Sequence, residues 1–212
     1  MRERFAAVPT AALVDVMDEL GRREQALPPP IRPLASGMRV AGRAFTVEGG
    51  PSTHDDWDGA IRKTLRMLGE VPTAHVAVYQ CNQDRSAHFG ELSATSLASR
   101  GVAGCVIDGG CRDVRLIEDL GFPVFARFVT PEDSTWRWEV TATQGPITIG
   151  TVRIEPGDWV AGDEDGVVVV PAGVAEQVLR DAEAKVGTES LVRDAVRHGM
   201  SPLDAYERFG TF

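Results

Sequence analysis

Lysine is scarce in this chain of 212 residues, which carries it only at positions 63 and 185. Neither Lys63 nor Lys185 lies in an apolar strand, the setting in which burial lowers the pKa of a lysine and makes its amine nucleophilic. Catalysis through a lysine imine is therefore not expected. The sequence also lacks a phosphate-binding Walker loop, a serine nucleophile elbow and a His-Glu-x-x-His helix, which excludes the enzyme classes that these motifs define.

Long apolar runs and a basic surplus are missing as well. No stretch approaches the roughly 20 apolar residues that a membrane-spanning helix needs, and residues 1–5 contain no apolar part of a secretion signal. The chain has 22 basic and 31 acidic side chains, a net charge of −9. Basic patches supply the affinity of sequence-independent nucleic-acid binding. We therefore expect a cytoplasmic protein that binds neither membrane nor nucleic acid.

Cysteines are few, and their number is odd: Cys81, Cys105 and Cys111. Their spacing is not that of a metal site, so the pattern favours inert thiols in a reducing compartment. Cys111 is the alternative candidate for a reactive thiol, because a predicted helix begins close to it.

The most informative stretch runs from residue 90 to residue 120. The pattern predicts a helix from Gly90 to Arg100 that Gly101 ends, because glycine tolerates the positive φ found at helix ends. A short apolar run between glycines then predicts a buried strand. A glycine-bearing loop leads into a second helix. The strand covers residues 102–107, the loop 108–113 and the second helix 114–120.

The side chains at the two helix starts suggest chemistry. First-turn N–H groups lack partners within their helix and, together with the helix dipole, attract anions. Arg112 adds a guanidinium fork suited to a carboxylate or enolate oxygen. Glu91 and Asp113 offer the oxygen ligands that a hard divalent cation prefers. The ordinary alternative is that Asp113 caps its helix, Glu91 favours a first turn and Arg112 makes a surface ion pair.

The remaining pattern predicts one domain over residues 1–212, built from mixed parallel and antiparallel strands with flanking helices. Thr10 is a predicted N-cap, and the proline-rich residues 26–33 form an extended connector. Residues 163–166 resemble the start of a calcium loop, but the apolar run that follows favours a hairpin turn. Other predicted helices cover residues 11–20, 58–68, 172–185, 189–198 and 202–208; other strands cover 40–47, 75–80 and 122–128, with short β segments between 136 and 171.

Further polar residues are candidates with ordinary alternatives. His54 lies among acidic residues in a loop, where it is either a metal ligand or a solvated side chain. His88 precedes the first helix start and is a candidate substrate contact, since an imidazole can donate to a carboxylate and titrate near neutrality. Three loops, residues 49–58, 82–85 and 131–138, are candidates to line a pocket. Trp136 and Trp138 are expected in an interface or the core.

Several motifs together resemble the RraA-like family. They are Gly90-Glu91-Leu92, the Arg112-Asp113 pair separated from Glu91 by twenty residues, the preceding Ile-Asp-Gly-Gly and the following Gly-Phe-Pro-Val-Phe-Ala-Arg. The similarity runs from about Thr10 to Phe209. The family includes class II pyruvate aldolases acting on 4-hydroxy-4-methyl-2-oxoglutarate and 4-carboxy-4-hydroxy-2-oxoadipate, and also regulators of ribonuclease E.

The resemblance implies an α/β fold of the swivelling β/β/α type with mixed sheets and flanking helices. It also implies a homotrimer or hexamer in which the helices of residues 172–209 pack on a neighbouring subunit. Glu189, on one of these helices, is then a candidate carboxylate brought to the metal of that neighbour.

The function implied is a lyase that depends on Mg²⁺ or Mn²⁺ and cleaves 4-hydroxy-2-oxo acids to pyruvate, with oxaloacetate decarboxylation as a side activity. The substrate carboxylate is expected against the amides of Leu92 and Ser93, after Gly90, and the 2-oxo oxygen at the metal and Arg112. The expected metal residues are Asp113, Glu91 and Glu189. The alternative is a non-catalytic regulator that binds a protein partner, as ribonuclease E regulators do, because a shared fold does not settle function.

Overall fold

The computed structural model describes residues 1–52 and 56–212. Its helices are α1 (Arg2–Ala7), α2 (Thr10–Glu19), α3 (Trp57–Glu70), α4 (Glu91–Ser99), α5 (Val114–Leu120), α6 (Ala175–Arg197) and α7 (Pro202–Phe209), with a short 3₁₀ turn at Ala172–Val174. Its strands are β1 (Arg32–Pro33), β2 (Val40–Pro51), β3 (His75–Gln80), β4 (Ala87–Phe89), β5 (Gly104–Cys111), β6 (Val124–Val129), β7 (Trp138–Thr143), β8 (Ile147–Ile149), β9 (Val152–Ile154), β10 (Trp159–Asp163) and β11 (Gly166–Val170).

The main sheet is mixed and nearly closed. Its order is β1-β6-β5-β3-β2-β10-β11, with β4 added to β5 and β7 to β2. The central pairs β2–β3, β3–β5 and β5–β6 are parallel, whereas β10 and β11 pair antiparallel. Residues 25–27 bond to β11, through Leu27 N to Val167 O at 2.8 Å, and the chain then continues into β1 at the opposite edge. The predicted α/β fold with a mixed sheet and flanking helices is confirmed.

The parallel strands are buried on both faces, which explains their nearly continuous apolar sequences. On one face, Ala77 and Tyr79 of β3 pack with α3, α4 and α5. On the other, Val76 and Val78 join an interior cluster that includes Phe125 of β6. A third cluster joins α1, α2 and the first half of α6 to β10 and β11. The sheet therefore holds α4 and α5 as neighbours on one of its faces.

The glycines after Ile107 do not form the predicted loop, because β5 continues through Cys111. They allow close packing inside the sheet instead. A Cβ on Gly109 would lie 2.4 Å from Nδ1 of His88, and one on Gly110 would lie 2.5 Å from the carbonyl oxygen of Ser86. Glycine within a strand marks the close approach of another chain segment here, as it often does.

Two predictions about helix ends are wrong. The two helices predicted at 172–185 and 189–198 are one helix, α6, which continues through Gly187. Thr10 is the first residue of α2 and not its cap. Its amide and hydroxyl donate to Asp163 at 2.9 and 2.7 Å. The hairpin predicted at residues 163–166 is confirmed, since Asp163 pairs with Gly166 between β10 and β11.

The carboxyl-terminal helices were predicted to pack on a neighbouring subunit, and this stays a prediction. The first half of α6 packs within its own chain, whereas Leu191 in the second half is 58% exposed. No helix in the described ranges combines the length and apolarity needed to cross a membrane.

Candidate active site

The helices α4 and α5 begin side by side. The backbone N–H of Glu91, at the start of α4, donates to Oδ2 of Asp113, at the start of α5, over 3.2 Å. A Cβ on Gly90 would lie only 2.7 Å from the same Oδ2. The backbone of Gly90 is extended, with φ −154° and ψ −174°, so glycine is required here for space and not for its dihedral freedom.

Asp113 does not cap its own helix, contrary to the ordinary alternative. It occupies the N-cap position of α5 in the left-handed region, at φ 60° and ψ 33°, and its side chain makes no capping hydrogen bond. Its carboxylate instead faces the amide of Glu91 and, at 3.5 Å, Nε of Arg112. Left-handed backbone outside glycine is uncommon and is enriched at functional sites.

Arg112 is bracketed by two carboxylates. Its Nε faces Asp113, and its Nη1 lies 2.9 Å from Oδ2 of Asp133. Burial by itself would raise the pKa of Asp133, but hydrogen bonds from the amide of Thr135 and from Arg112 outweigh it and hold this pKa below its ordinary value. Asp133 is therefore an ionised partner that fixes the direction of the guanidinium.

These elements enclose a pocket of about 250 Å³. The start of α4, Arg112 and the segment 133–135 form its polar side, and α3 together with Trp138 forms an apolar side. The sequence-predicted substrate residues all lie on this pocket: His88, Gly90, Leu92, Ser93 and Arg112. Because Gly90 caps α4 without a side chain and the amide of Glu91 donates to Asp113, the amides of Leu92 and Ser93 are the first-turn donors that could face an anion in the pocket.

His88 borders the pocket with its ring nitrogens already engaged. Nδ1 accepts from the amide of Gly110 at 3.1 Å, so Nε2 carries the proton and faces Oε1 of Gln83 at 3.2 Å. Burial lowers the pKa of His88 to about 4. A neutral, fully bonded imidazole packed against Trp138, with 5.0 Å between ring centroids, shapes the pocket wall. Titration near neutrality, which the sequence suggested, is not expected.

The carboxylates of Glu91 and Asp113 are partly free. Oε1 of Glu91 accepts from the hydroxyl of Thr95 at 2.7 Å, and neither Oε2 of Glu91 nor Oδ1 of Asp113 accepts a hydrogen bond from the described residues. Within the same residues, no group of three or more His, Cys, Asp or Glu side chains could hold a metal ion. Two carboxylates with open oxygens suit Mg²⁺, which keeps several waters, and do not form a closed protein cage.

Two other predicted ligands do not join this pair. Glu189 lies on α6, where it borders a separate groove with Val192, Val196 and Phe212 of the same chain. Its predicted approach to a metal from a neighbouring subunit therefore stays a prediction. His54 lies outside the described residues.

Loop 82–85 contacts the segment 131–138, which lines the pocket. Nε2 of Gln83 donates to the carbonyl of Arg137 at 2.8 Å, and Arg85 pairs with Glu132 at 2.8 Å. Both contacts hold the segment 131–138, which carries Asp133, Ser134, Thr135 and Trp138 to the pocket. This segment was predicted to line the pocket and does; α3, which also lines it, was missed.

The three cysteines are free and buried. Burial raises the pKa of Cys111 to about 12, so its thiol stays protonated at neutral pH and is a poor nucleophile. The prediction of inert thiols is supported, and the alternative of a reactive Cys111 is not.

Fold and pocket together define a mixed α/β protein with a pocket at two adjacent helix starts. The family described as Aldolase/RraA matches residues 10–169, three quarters of the chain. The chain belongs to this RraA-like family, as the sequence motifs predicted.

Individual relatives agree with this assignment. A protein of Halalkalibacterium halodurans, provisionally named 4-hydroxy-4-methyl-2-oxoglutarate aldolase, is 31% identical over 96% of this chain and 91% of its own length. The crystal structure of an uncharacterised protein from Pseudomonas syringae superposes with a TM-score of 0.85 at 28% identity, covering 96% of this chain and 95% of the other. The structure of Streptomyces coelicolor RraAS2, an unusual member of the RNase ES inhibitor RraA protein family, gives 0.82 at 28% identity, covering 91% and 96%.

Proposed function

We propose that this protein is a metal-dependent lyase that cleaves 4-hydroxy-2-oxo acids to pyruvate and a second carbonyl compound. The observation that carries the proposal is the shared position of Arg112 and the first turn of α4 on one pocket, where the carboxylate of Asp113 contacts both Arg112 and the backbone N–H of Glu91. A guanidinium, free amides and two carboxylates together match the carboxylate, the oxo oxygen and the cation that such a reaction requires.

The substrate carboxylate would lie against the amides of Leu92 and Ser93, where the dipole of α4 favours negative charge. Arg112 would then donate to the 2-oxo oxygen. Asp133 and Asp113 hold the guanidinium in place, so that it need not reorganise as charge develops.

Glu91 and Asp113 would hold Mg²⁺ or Mn²⁺ through their open oxygens. When bound, a divalent cation supplies Lewis-acid polarisation of the 2-oxo group. Glu189 of a neighbouring subunit, in a homotrimer or hexamer, is the proposed third carboxylate.

The bond that breaks is C3–C4. The 4-hydroxyl gives its proton to solvent water as C4 becomes a carbonyl, and the electron pair of the broken bond moves into an enolate whose charge lies on the C2 oxygen. Arg112 stabilises that oxygen, and proton transfer from solvent to C3 then completes pyruvate. Oxaloacetate decarboxylation passes through the same enolate, so the same residues would support it as a side activity.

A coupled pyruvate assay across hydroxy-oxo acids tests the proposal. We expect pyruvate release that EDTA abolishes and that added Mg²⁺ or Mn²⁺ restores. Arg112→Ala and Asp113→Ala should remove the activity while the far-ultraviolet circular dichroism spectrum stays unchanged. Turnover in both variants equal to that of the wild type, or wild-type turnover that EDTA does not change, would overturn the assignment.

The second candidate is a regulator of a ribonuclease. The observation in its favour is the superposition on Streptomyces coelicolor RraAS2 across 91% of this chain. Binding to purified ribonuclease E that slows RNA cleavage, with no pyruvate released from any hydroxy-oxo acid, would favour it over the lyase.

A further inference from the structure

The pocket points to the chemical class of the substrate, and this inference rests on the proposed lyase function. We propose that the group on C4 of the substrate is uncharged and apolar, so that the preferred substrate is a monoanionic 4-hydroxy-2-oxo acid. Substrates of the 4-hydroxy-4-methyl-2-oxoglutarate type, which carry a second carboxylate on C4, would be used less well.

The charges around the pocket support one anionic group and not two. Arg112 is the single cationic side chain among the described residues that line it, because burial keeps His88 neutral. Arg112 already faces Asp133 and Asp113. One carboxylate can be held by the α4 amides and Arg112, but a second would enter a pocket whose remaining ionised group is another carboxylate, Asp133.

The α3 wall is apolar because of its helical register. Ile61, Leu65 and Leu68 fall at i, i+4 and i+7 and line the pocket together. Of the neighbouring cations, Arg62 pairs with Asp58 at 2.7 Å and Lys63 pairs with Glu139, while Arg66 does not line the pocket. A carboxylate against this wall would lose its hydration without gaining a partner, which is unfavourable.

The apolar surface extends past the pocket along α3 and the facing segment. Trp57, at the start of α3, contacts Trp136 with 6.3 Å between ring centroids. The exposed fractions of the two residues are 49% and 52%. Leu65 is 59% exposed and Leu92 is 80% exposed. Exposed apolar side chains next to a pocket of this kind are suited to cover an alkyl or aryl substituent.

A matched pair of substrates tests the inference. 4-Hydroxy-4-methyl-2-oxopentanoate differs from 4-hydroxy-4-methyl-2-oxoglutarate only in a methyl group where the latter has its C5 carboxylate. The first yields pyruvate and acetone, and the second yields two pyruvates, so rates are compared per bond cleaved. We expect kcat/KM for the monoanion to exceed that for the dianion by about tenfold or more. 4-Hydroxy-4-phenyl-2-oxobutanoate, which yields benzaldehyde, should also be cleaved.

A charge placed on the apolar wall should reverse this preference. Leu65→Arg adds a cation at an exposed position of the wall, so the fold should tolerate it, and should shift the ratio of the two kcat/KM values toward the dianion by about fivefold to tenfold. Leu116→Arg is the matched control, since Leu116 is also on a helix and 55% exposed but does not line the pocket. It should leave the ratio unchanged.

The outcomes separate this inference from the function on which it rests. Pyruvate release from both substrates with a preference for the dianion would overturn the inference and leave the lyase assignment standing. No release from any substrate, with and without Mg²⁺, would overturn the lyase assignment itself. If the ratio of the two kcat/KM values changes equally in Leu65→Arg and Leu116→Arg, the α3 wall does not determine the preference for the C4 group.

Discussion

Gly90 leaves the space that the carboxylate of Asp113 occupies. A Cβ at position 90 would come within 2.7 Å of Oδ2 of Asp113, while the next amide, that of Glu91, donates to this oxygen. The missing side chain and the hydrogen bond together turn Asp113 away from its own helix and toward the proposed metal and substrate site.

Gly90→Ala should therefore reduce activity much more than stability. The atom that must move is the end of an exposed side chain, so the fold should lose only about 1 kcal/mol. Displacement of the Asp113 carboxylate should lower kcat/KM for pyruvate release at least about tenfold and weaken Mg²⁺ binding measured by calorimetry. Gly69→Ala is the control, because a Cβ there meets nothing within 4 Å. Equal activity in the two variants would contradict the positioning role of Gly90.

Substitutions of Arg112 test whether activity depends on the planar shape of the guanidinium as well as on its charge. Arg112→Ala should lower kcat/KM about a hundredfold, since it removes the donor proposed for the developing enolate oxygen. Arg112→Lys should still lose about tenfold, because an ammonium cannot face Asp113, Asp133 and the substrate with a planar fork. Steady-state kinetics with a monoanionic substrate would measure both effects.

The control for the Arg112 variants is Arg115→Ala, in the first turn of α5. Arg115 pairs with Asp119 at 3.1 Å on the exposed face of α5, with a side chain 81% exposed. It should retain full activity, since exposed pairs of this kind contribute little. Full activity in Arg112→Lys would mean that only the charge is used.

Local sequence determines one half of the site. The acidic and basic residues at the starts of α4 and α5 were predicted because capping glycines and short apolar runs define helix starts within a few residues. Parallel pairing of β4 with β5, which places Phe89 beside Cys111, then brings the two starts together. The predicted end of β5 was wrong, because Gly109 and Gly110 do not form a turn. They are glycines because His88 and Ser86 pack closely against them.

The other half of the site depends on packing between distant parts of the chain. Asp133 reaches Arg112 from the segment 131–138, which Gln83 and Arg85 bind from a distant part of the chain. The apolar wall depends on which face of α3 meets the sheet. No motif marks either feature, although the three apolar residues at helical spacing in α3 were a signal that an amphipathic helix would cover something.

Asp133 should act as a positioning residue for Arg112. Asp133→Asn keeps an oxygen acceptor but removes the charge, so Arg112 should become less well oriented, with KM rising about threefold to tenfold and kcat changing less. Asp119→Asn removes the partner of Arg115 and is the matched control. An unchanged KM in Asp133→Asn, or an equal change in both variants, would place Asp133 outside the substrate site.

His88 should make the protein less stable in mild acid. Its pKa is lowered by burial from 6.5 in the unfolded chain to about 4 in the fold, so between these values the unfolded state binds the proton more tightly. The contribution of neutral His88 to the free energy of unfolding is present above pH 6.5 and is lost as the pH falls toward 4, by up to about 3 kcal/mol below both values.

His88→Gln tests this prediction, because glutamine keeps a polar side chain but does not titrate in this pH range. Urea unfolding of both proteins at intervals between pH 7 and pH 4 should show a steeper loss in the wild type, because protonation would break the hydrogen bond from Gly110 to Nδ1 and leave a charge against Trp138. Parallel curves for the two proteins would show that His88 is not held neutral by the fold.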